Sequence, residues 1–407
     1  MKVLTCCIPG RGGVYTALLT LRRALAPYGV ELAWFEAGRT VAAMARQSAS
    51  ADKADEVALL ATDTDDEEAR ARALLGHVER EQPSLLIANV LGGAVEANLV
   101  RYLPREVPRI LIVHSISRST YRAARAVRDW VDLTVAVSPR IRQDLVRQEG
   151  FRAGRIHVIP NSVAPDVAAR SFDDKRELRV LSHGRIEHSS KGVNWLPDIV
   201  KYALGAGLRL SLTIAGDGPD LEQLKSRMEG CGLAGRVEYL GFVPREQASA
   251  LMRSHDVLLF PSIFEGFSLT LLEAMAGGCV PVASRIRGVT DYAIAEGQTG
   301  LLFPVGDTRA AAARLVELGR DRRTLRVMSE AARHSVRSRF TIERQGAAFY
   351  RLIEQVCLAP RCLKPPLSID RWRMPRGLRP SWLHALPTPV KDVLRMARER
   401  LQTASVR

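Results

Sequence analysis

The sequence of 407 residues lacks several features that would place it in a special class of protein. Its six cysteines are scattered, with no Cys-x-x-Cys pair and no spacing typical of a metal site. No apolar run approaches the ~20 residues that a helix needs to cross a bilayer. The beginning, MKVLTCCIPGRGG, turns to Gly and Arg before a long apolar segment forms, so we expect no secretory signal. Together these absences predict a reduced, cytoplasmic protein.

Basic residues outnumber acidic ones, and this surplus is not spread evenly along the chain. The net charge is +15, and residues 360–407 alone contribute +8, with 11 Lys and Arg against three Asp and Glu. Residues 1–178 and 179–359 carry surpluses of only +3 and +4. A nucleic-acid-binding protein would carry its positive charge on the folded body. The charge distribution therefore argues against nucleic acid as a partner.

The order of apolar segments predicts two domains of the same class. The composition, 46% hydrophobic and 25% charged, is that of a globular chain, and its length exceeds what one core usually serves. Strands are predicted at 2–8, 30–35, 85–90, 109–114, 133–137 and 156–159, and then at 179–182, 209–215, 237–240, 257–261, 280–283 and 300–303. Helical patterns lie between them, which predicts two α/β halves, each with a parallel sheet.

These patterns divide the chain into three parts. We assign residues 1–170 to an N-terminal domain and residues 171–358, including a closing helix at 342–358, to a C-terminal domain. Residues 359–407 form a basic tail that contains Pro and Trp, with a short amphipathic helix predicted at 390–401. In parallel sheets ligands bind beyond the carboxyl ends of the strands, so we look for chemistry there.

One loop in the second half combines carboxylates with a helix start. A buried strand ends at Pro261, Glu265 and Gly266 follow in a loop, and a helix is predicted to open near Ser268, with Glu273 inside it. A helix N-terminus offers unpaired N–H groups to a phosphate. Ionised carboxylates only accept hydrogen bonds, so they suit the hydroxyl groups of a sugar or ribose. Taken singly, both glutamates are equally consistent with ordinary surface positions.

Two cations follow the first strand of the same half. Arg185 and Lys191 lie in the segment Ser182–Gly192, where they could clamp a diphosphate. Each could also be a solvated loop charge. The segment Asp63-Thr-Asp65-Asp66 mimics a metal-binding Asp-x-Asp pair, but no apolar strand precedes it, so we interpret it as the cap of a following helix.

The order of these motifs resembles the GT-B glycosyltransferases of the retaining type known as group 1 or family 4. In the second half the matching segments are Gly184-Arg185…Lys191-Gly192, Ile214-Ala-Gly-Asp-Gly-Pro219, Leu240-Gly-Phe-Val243, Pro261-Ser…Glu265-Gly-Phe, Glu273-Ala-Met-Ala276 and Gly300-Leu-Leu-Phe-Pro304. In the first half they are Gly12-Gly13, the strand ending in His114, Val137-Ser138 and Val158-Ile-Pro-Asn161. The resemblance covers residues 1–350 and implies two facing Rossmann-like domains with a cleft between them.

The resemblance also implies a role for each matching residue. Arg185 and Lys191 would neutralise the donor diphosphate, Glu265 would hold the transferred sugar, and His114 would lie near the reacting centre; these four are the candidate catalytic residues. Glu273 would accept from the ribose hydroxyls. The remaining candidate donor-binding residues are Gly12, Gly13, Gly216, Phe242, Gly266, Phe267, Ser268, Leu269 and Thr270.

The function that the resemblance implies is retaining transfer of a sugar, of the hexosyl type, without a bound metal or a cofactor. The donor would be a UDP- or GDP-linked sugar, and the acceptor a glycan, a lipid-linked saccharide or another envelope polysaccharide. The alternative is a non-catalytic protein of the same fold that binds nucleotide sugars. The complete set of Arg185, Lys191, Glu265 and Glu273 favours the enzyme.

Two basic segments raise the question of a membrane partner. Arg118, Arg122, Arg125 and Arg128 are spaced for one helix face. The tail adds Arg371, Arg373, Arg376 and Arg379, interleaved with Trp372 and Trp382. Cations with Trp suit an anionic lipid surface, which would place the protein on the inner face of a membrane. A solvated helix face, and a tail packed back on the first domain, are the alternatives.

Overall fold

The computed structural model describes residues 1–6, 12–37, 57–60, 66–91, 93–166, 177–359 and 362–379, together with 168, 170, 390, 396 and 397. The chain divides into two compact units. The first comprises Met1–Asn161 and Ile342–His384, and the second Ser162–Thr341 and Ala385–Arg407. Each unit contains a parallel sheet with helices, as the alternating pattern predicts.

In the first unit, the described residues form a seven-stranded sheet in the order β3-β2-β1-β4-β5-β6-β7. Its strands are β1 (Lys2–Cys6), β2 (Glu31–Ala37), β3 (Val57–Leu60), β4 (Leu85–Asn89), β5 (Arg109–Val113), β6 (Leu133–Ala136) and β7 (Ile156–Val158). Six of the seven coincide with segments expected from the sequence. The sequence interpretation missed β3, whose four residues follow a polar stretch and pair only with β2 at the sheet edge.

The second unit has a six-stranded sheet in the order β10-β9-β8-β11-β12-β13. Its strands are β8 (Leu178–His183), β9 (Leu210–Ala215), β10 (Val237–Gly241), β11 (Val257–Phe260), β12 (Val280–Ser284) and β13 (Leu301–Phe303). All six expected strands are present. The inner ones are almost entirely buried, because helices cover both faces of a parallel sheet.

Fourteen α-helices occur in the described part of the chain. They are α1 (Gly13–Leu25), α2 (Glu67–Glu81), α3 (Ala94–Leu99), α4 (Arg118–Val127), α5 (Pro139–Glu149), α6 (His188–Lys191), α7 (Leu196–Gly205), α8 (Leu221–Gly230), α9 (Arg245–Ser254), α10 (Leu269–Ala276), α11 (Thr290–Ala293), α12 (Thr308–Arg320), α13 (Arg322–Arg339) and α14 (Ile342–Leu358). Short 3₁₀ turns lie at Ala26–Tyr28, Arg128–Trp130, Ala153–Arg155, Val193–Trp195, Ala234–Arg236, Ile369–Arg371 and Arg376–Leu378. Among these helices, none is long and apolar enough to span a membrane.

The predicted cap at the start of α2 is present. The Asp66 carboxylate accepts a hydrogen bond from the Ala69 amide at 2.8 Å, and Glu67 and Glu68 occupy the first turn. Acidic side chains at this end of a helix satisfy free N–H groups and complement its dipole. Asp63 and Asp65 lie outside the described residues.

The closing helix α14 belongs to the first unit, which corrects the domain assigned to it from the sequence. It packs against α1, where Gly346 lies so close to the Ala24 carbonyl that a Cβ would clash with it. Tyr350 stacks on Tyr28 with 4.6 Å between ring centroids. The physical reason is that the apolar face of α14, which includes Phe349, is buried in the first unit. Chain order does not reveal which core such a face completes.

The tail also packs on the first unit, through a segment that we call the strap (residues 362–379). The Trp130 indole N–H donates to the Pro365 carbonyl at 3.0 Å, and the Trp372 ring lies 4.7 Å from that of Tyr102. Residues 362–379 of the tail therefore pack on the first unit, while membrane contact of the tail stays a prediction. Trp382 and most of the helix predicted at 390–401 lie outside the described residues.

Candidate functional site

The candidate residues of the second unit lie at the carboxyl edge of its sheet. Strand β8 has β9 on one side and β11 on the other, so the strand order reverses between β8 and β11. The crevice at such a switch point is where α/β sheets bind ligands. The loops that follow β8 and β11 carry Lys191 and Glu265.

The loop after β8 is held rigidly. The His188 amide donates to the Asp220 carboxylate at 2.6 Å, and the Ser190 hydroxyl donates to Glu187 at 2.8 Å, which fixes α6 and its last residue, Lys191. Gly192 follows with φ 65°, and a Cβ there would lie closer than 3.0 Å to the Pro261 carbonyl oxygen. Only glycine permits this approach, which brings the lysine loop against the end of β11.

The two loops meet in a partly buried ion pair. Ile263 donates its amide hydrogen to the Ser190 carbonyl at 2.8 Å, which joins the loops through the backbone. Nζ of Lys191 lies 2.5 Å from Oε1 of Glu265. The Ser262 hydroxyl donates to the same oxygen at 2.9 Å. Both Ser262 and Glu265 are buried, so the carboxylate is fixed by two donors while its second oxygen has no partner among the described side chains.

The helix that follows Glu265 has free amides at its start. Ser268 caps α10, since its hydroxyl accepts from the Leu271 amide at 3.3 Å. Within the described chain, the amides of Leu269 and Thr270 have no hydrogen-bond partner. An anion is stabilised at such an end by the N–H groups and by the helix dipole. Phe267 contributes backbone only, because its ring packs with Tyr292 and Phe340 in the core.

Glu273 is a carboxylate that folding removes from much of its water. It lies on α10 one turn from the amides just described, and no described residue donates to it or pairs with it. Burial raises the pKa of the Glu273 carboxyl above its ordinary value, and the positive charge of Arg245 opposes that shift. A desolvated carboxylate without a donor favours a ligand that brings hydroxyl groups.

Arg185 is not part of this cluster. Its side chain is 66% exposed, and its nearest anionic contact is Glu187, with 3.8 Å between Nη2 and Oε1. A long exposed cation beside a fixed site can turn towards an incoming anion. The structure thus joins Lys191 to Glu265 directly, whereas Arg185 extends into solvent.

Gly216 and Phe242 directly follow β9 and β10, at the same carboxyl edge of the sheet. A Cβ on Gly216 would clash with the Gly184 carbonyl oxygen, so this glycine allows the loops after β8 and β9 to touch. The Phe242 ring is half-exposed after β10, next to α9. The packing of these two loops therefore requires glycine at position 216, while Phe242 presents an apolar surface at the same sheet edge.

In the first unit the candidate residues again lie at carboxyl ends of strands. His114 directly follows β5, and burial lowers the pKa of its imidazole to about 4, so the ring is neutral at pH 7. Its Nε2 is buried without a partner beside a cavity of about 10 Å³ whose lining includes Asn161 and Gln345. Gly12 and Gly13 open α1 after β1, and a Cβ at either would meet no atom within 4 Å. These glycines therefore leave the helix start open.

Three functional details were not assigned from the sequence: the hydroxyl of Ser262, the close approach at Gly192 and the charge of Arg245 near Glu273. Ser262 and Gly192 lie inside motifs that were recognised, but neither spacing nor residue type shows which hydrogen bond a hydroxyl makes. In the described parts of the chain, no group of three or more His, Cys, Asp and Glu side chains is placed to hold a metal ion.

Comparison with known families assigns both halves of the chain. A model described as "Glycosyl transferases group 1" matches residues 166–335, and one described as "Glycosyltransferase Family 4" matches residues 11–167. Together they contain His114, Arg185, Lys191, Glu265 and Glu273.

Several curated proteins are similar to part of the chain. Sulfoquinovosyl transferase SQD2 of Arabidopsis thaliana is 28% identical over 265 residues, which is 61% of this chain and 50% of the relative. N-acetyl-alpha-D-glucosaminyl L-malate synthase of Bacillus anthracis is 35% identical over 133 residues, 33% of this chain and 34% of the relative. The matches span about half or less of the length of these relatives.

Solved structures share the fold over most of the chain. HepE of Anabaena, crystallised with UDP and glucose, has a TM-score of 0.71 at 20% identity and covers 87% of this chain and 100% of its own. A TarM variant of S. aureus, crystallised with UDP and saccharide ligands, has a TM-score of 0.73 at 10% identity over 86% of this chain and 99% of its own. The GT-B class of two Rossmann-like units, expected from the motifs, is thereby confirmed.

Proposed function

Because this chain belongs to the group 1 glycosyltransferases, we propose that it transfers a sugar from a nucleoside diphosphate sugar to a hydroxyl group of an acceptor. The observation that carries the proposal is the pair of Lys191 and Glu265 at the switch point of the second sheet, next to the free amides of α10. In one crevice it combines a cation and amides that can bind a phosphate with a carboxylate that can accept hydrogen bonds from a sugar.

Different residues bind the diphosphate, the sugar and the ribose of the donor. Lys191, Arg185 and the amides of Leu269 and Thr270 bind the diphosphate, whose negative charge grows as the sugar leaves. Glu265, oriented by Ser262, accepts hydrogen bonds from the sugar hydroxyls, and Glu273 accepts from the ribose. Lys191, Arg185 and the helix end supply the positive charge, so we propose that transfer needs no metal.

The reaction exchanges one glycosidic bond for another. The bond from the anomeric carbon to the β-phosphate oxygen breaks, the acceptor oxygen bonds to the same carbon, and the acceptor proton passes to the departing phosphate. We propose attack from the face that the phosphate leaves, so that the anomeric configuration is retained. A neutral His114, whose Nε2 has no partner, is suited to hold a hydroxyl group of the sugar or acceptor.

The proposed donor is a UDP- or GDP-linked hexose, and the proposed acceptor is a glycan, a lipid-linked saccharide or another envelope polysaccharide. UDP in the related HepE and TarM structures supports uridine as the first base to test. Names of relatives span a sulfoquinovosyl transferase and a glucosaminyl malate synthase, which supports glycosyl transfer but leaves the acceptor open.

The test begins with binding and proceeds to turnover. Calorimetry with UDP, GDP and their hexose conjugates should show micromolar to millimolar binding that Glu273→Gln weakens about tenfold or more, because a carboxylate accepts more strongly than an amide. Release of nucleoside diphosphate from the donor, with and without EDTA, then measures catalysis and its metal dependence. Donor binding without any release across a panel of acceptors would favour the non-catalytic alternative, and absence of nucleotide binding would overturn both.

A further inference from the structure

The structure unites two basic segments that are 250 residues apart in the sequence. The 3₁₀ turn Arg376–Leu378 of the strap packs on α4, where a Cβ on Gly377 would lie 2.6 Å from the Arg122 carbonyl oxygen and 2.8 Å from Cβ of Ala126. The Arg122 guanidinium donates to the Arg376 carbonyl at 3.3 Å. The strap therefore forms one surface with the part of α4 around Arg118 and Arg122, whereas Arg125 and Arg128 pair with Glu149 and Asp129.

The strap is docked by its backbone, by apolar side chains and by two ion pairs, Lys364 with Asp129 at 3.2 Å and Asp370 with Arg72 at 3.0 Å. Its carbonyl at Arg373 accepts from Asn98 at 3.1 Å and from Tyr102 at 3.3 Å, and the Arg373 amide donates to the Tyr102 hydroxyl at 3.0 Å. Trp372 and Met374 turn inwards, and Met374 is buried. Arg371 and Arg373, on either side of Trp372, are exposed.

The outward arginines have no anionic partner of their own. Arg118 on α4 and four arginines of the strap are exposed, and no ion pair or side-chain hydrogen bond neutralises any of these five in the described part of the chain. The strap arginines are Arg371, Arg373, Arg376 and Arg379. Elsewhere in the protein many arginines are paired, such as Arg72 with Glu68 and Arg140 with Asp144. Unpaired like charges repel one another, which favours an external polyanion.

We propose that this surface, made by α4 and the strap, docks the protein on an anionic lipid bilayer. The arginines are exposed at separate positions along α4 and the strap, so they match a plane of many phosphate headgroups better than a single small anion. Guanidinium groups bind such phosphates through paired N–H donors. Trp372 takes no part in contacting lipid, because its ring packs on Tyr102.

The test measures how the full-length protein partitions onto vesicles that contain phosphatidylglycerol, with phosphatidylcholine vesicles as the reference. The variant R371Q/R373Q/R376Q/R379Q removes four charges from the surface. Its matched control, K201Q/R209Q/R323Q/R337Q, removes four exposed charges from the second unit. Each basic residue near an anionic surface is worth about a fivefold change in partitioning, so the strap variant should bind about a hundredfold or more less tightly, and the control much less so.

Two outcomes support the proposal together: loss of binding in the strap variant alone, and loss of wild-type binding at high salt, where charges are screened. Equal binding by the strap variant and the control would overturn it, as would equal binding of the wild type to both kinds of vesicle. Binding to a soluble acidic polysaccharide with no vesicle binding would overturn it in favour of a different partner. None of these outcomes depends on glycosyl transfer.

Discussion

Lys191 and Glu265 neutralise each other at the carboxyl edge of the second sheet, with 2.5 Å between Nζ and Oε1. The pair is assembled from two loops by a glycine that allows close approach and by the backbone bond from Ile263 to Ser190. An incoming diphosphate would compete with Glu265 for the lysine. The Glu265 carboxylate would then accept hydrogen bonds from the sugar hydroxyls. The single contact of the free protein would thus be replaced by two contacts in the complex, one from the lysine to the diphosphate and one from the carboxylate to the sugar.

Replacing Lys191 by Ala should lower kcat by about a hundredfold or more and affect donor KM less, because the diphosphate charge is largest in the transition state. It should also lower the free energy of unfolding by about 1–3 kcal/mol, since Glu265 would lose a partner while remaining buried. Steady-state kinetics and denaturant unfolding measure the two effects. Lys225→Ala, on the exposed face of α8, is the control and should change neither. An unchanged kcat in Lys191→Ala would show that the lysine takes no part in the reaction.

Ser262→Ala should reduce turnover about tenfold, because Glu265 would lose the hydroxyl that orients it. Ser262→Thr keeps that hydroxyl and should restore most of the rate, which a purely structural effect would not predict. Ser284 is a suitable control, since it is also buried in the second unit and its hydroxyl has no partner. If Ser262→Ala and Ser284→Ala lose activity equally, orientation of Glu265 is not the cause.

Glu273 should make stability depend on pH in the direction opposite to that of a salt-bridged carboxylate. Burial raises its pKa in the folded protein, so the native state binds its proton more tightly than the unfolded state does. Stability should therefore rise as pH falls through the raised folded pKa, and the gain should be complete below the ordinary pKa of glutamate. Urea midpoints of the wild type and Glu273→Gln should differ most at neutral pH, where the variant is more stable, and converge in acid. A constant difference at all pH values would contradict this.

His114 should act in the opposite sense. Its folded pKa of about 4 lies below its ordinary value of 6.5, so its contribution to stability is complete above pH 6.5 and is lost as pH falls towards 4. The full loss is up to about 3 kcal/mol. His114→Gln should flatten this part of the stability profile. NMR titration of the imidazole provides the direct measurement, and a proton taken up near pH 6.5 would show that the ring is exposed to solvent.

The second sheet and the loops that follow its strands were the parts predicted best from the sequence. All six strands of the second sheet were predicted, and the motifs named both members of the Lys191–Glu265 pair, because glycines, cations and carboxylates after buried strands leave a local signature. Strand β3 was missed because four apolar residues at a sheet edge give little periodic signal. The long helix α13, with few apolar residues per turn, was also not predicted.

Contacts between distant segments were beyond the sequence. Gly216 was assigned to the donor from its motif, yet its conformation is already required by the carbonyl of Gly184. Trp372 was considered for lipid contact, yet its ring packs at a tilt against that of Tyr102, which is 270 residues earlier in the chain. Both cases depend on which surfaces meet after folding, and residue type alone does not encode that choice.

The return of α14 to the first unit has a consequence for how the protein is made. A ribosome synthesises residues 1–161 long before Phe349 and its neighbours, so the nascent first unit lacks the helix that packs on α1 until residues 162–341 have been translated. The core of the first unit is thus completed only after most of the second unit has been made. During that interval the side of α1 on which α14 packs has no partner helix.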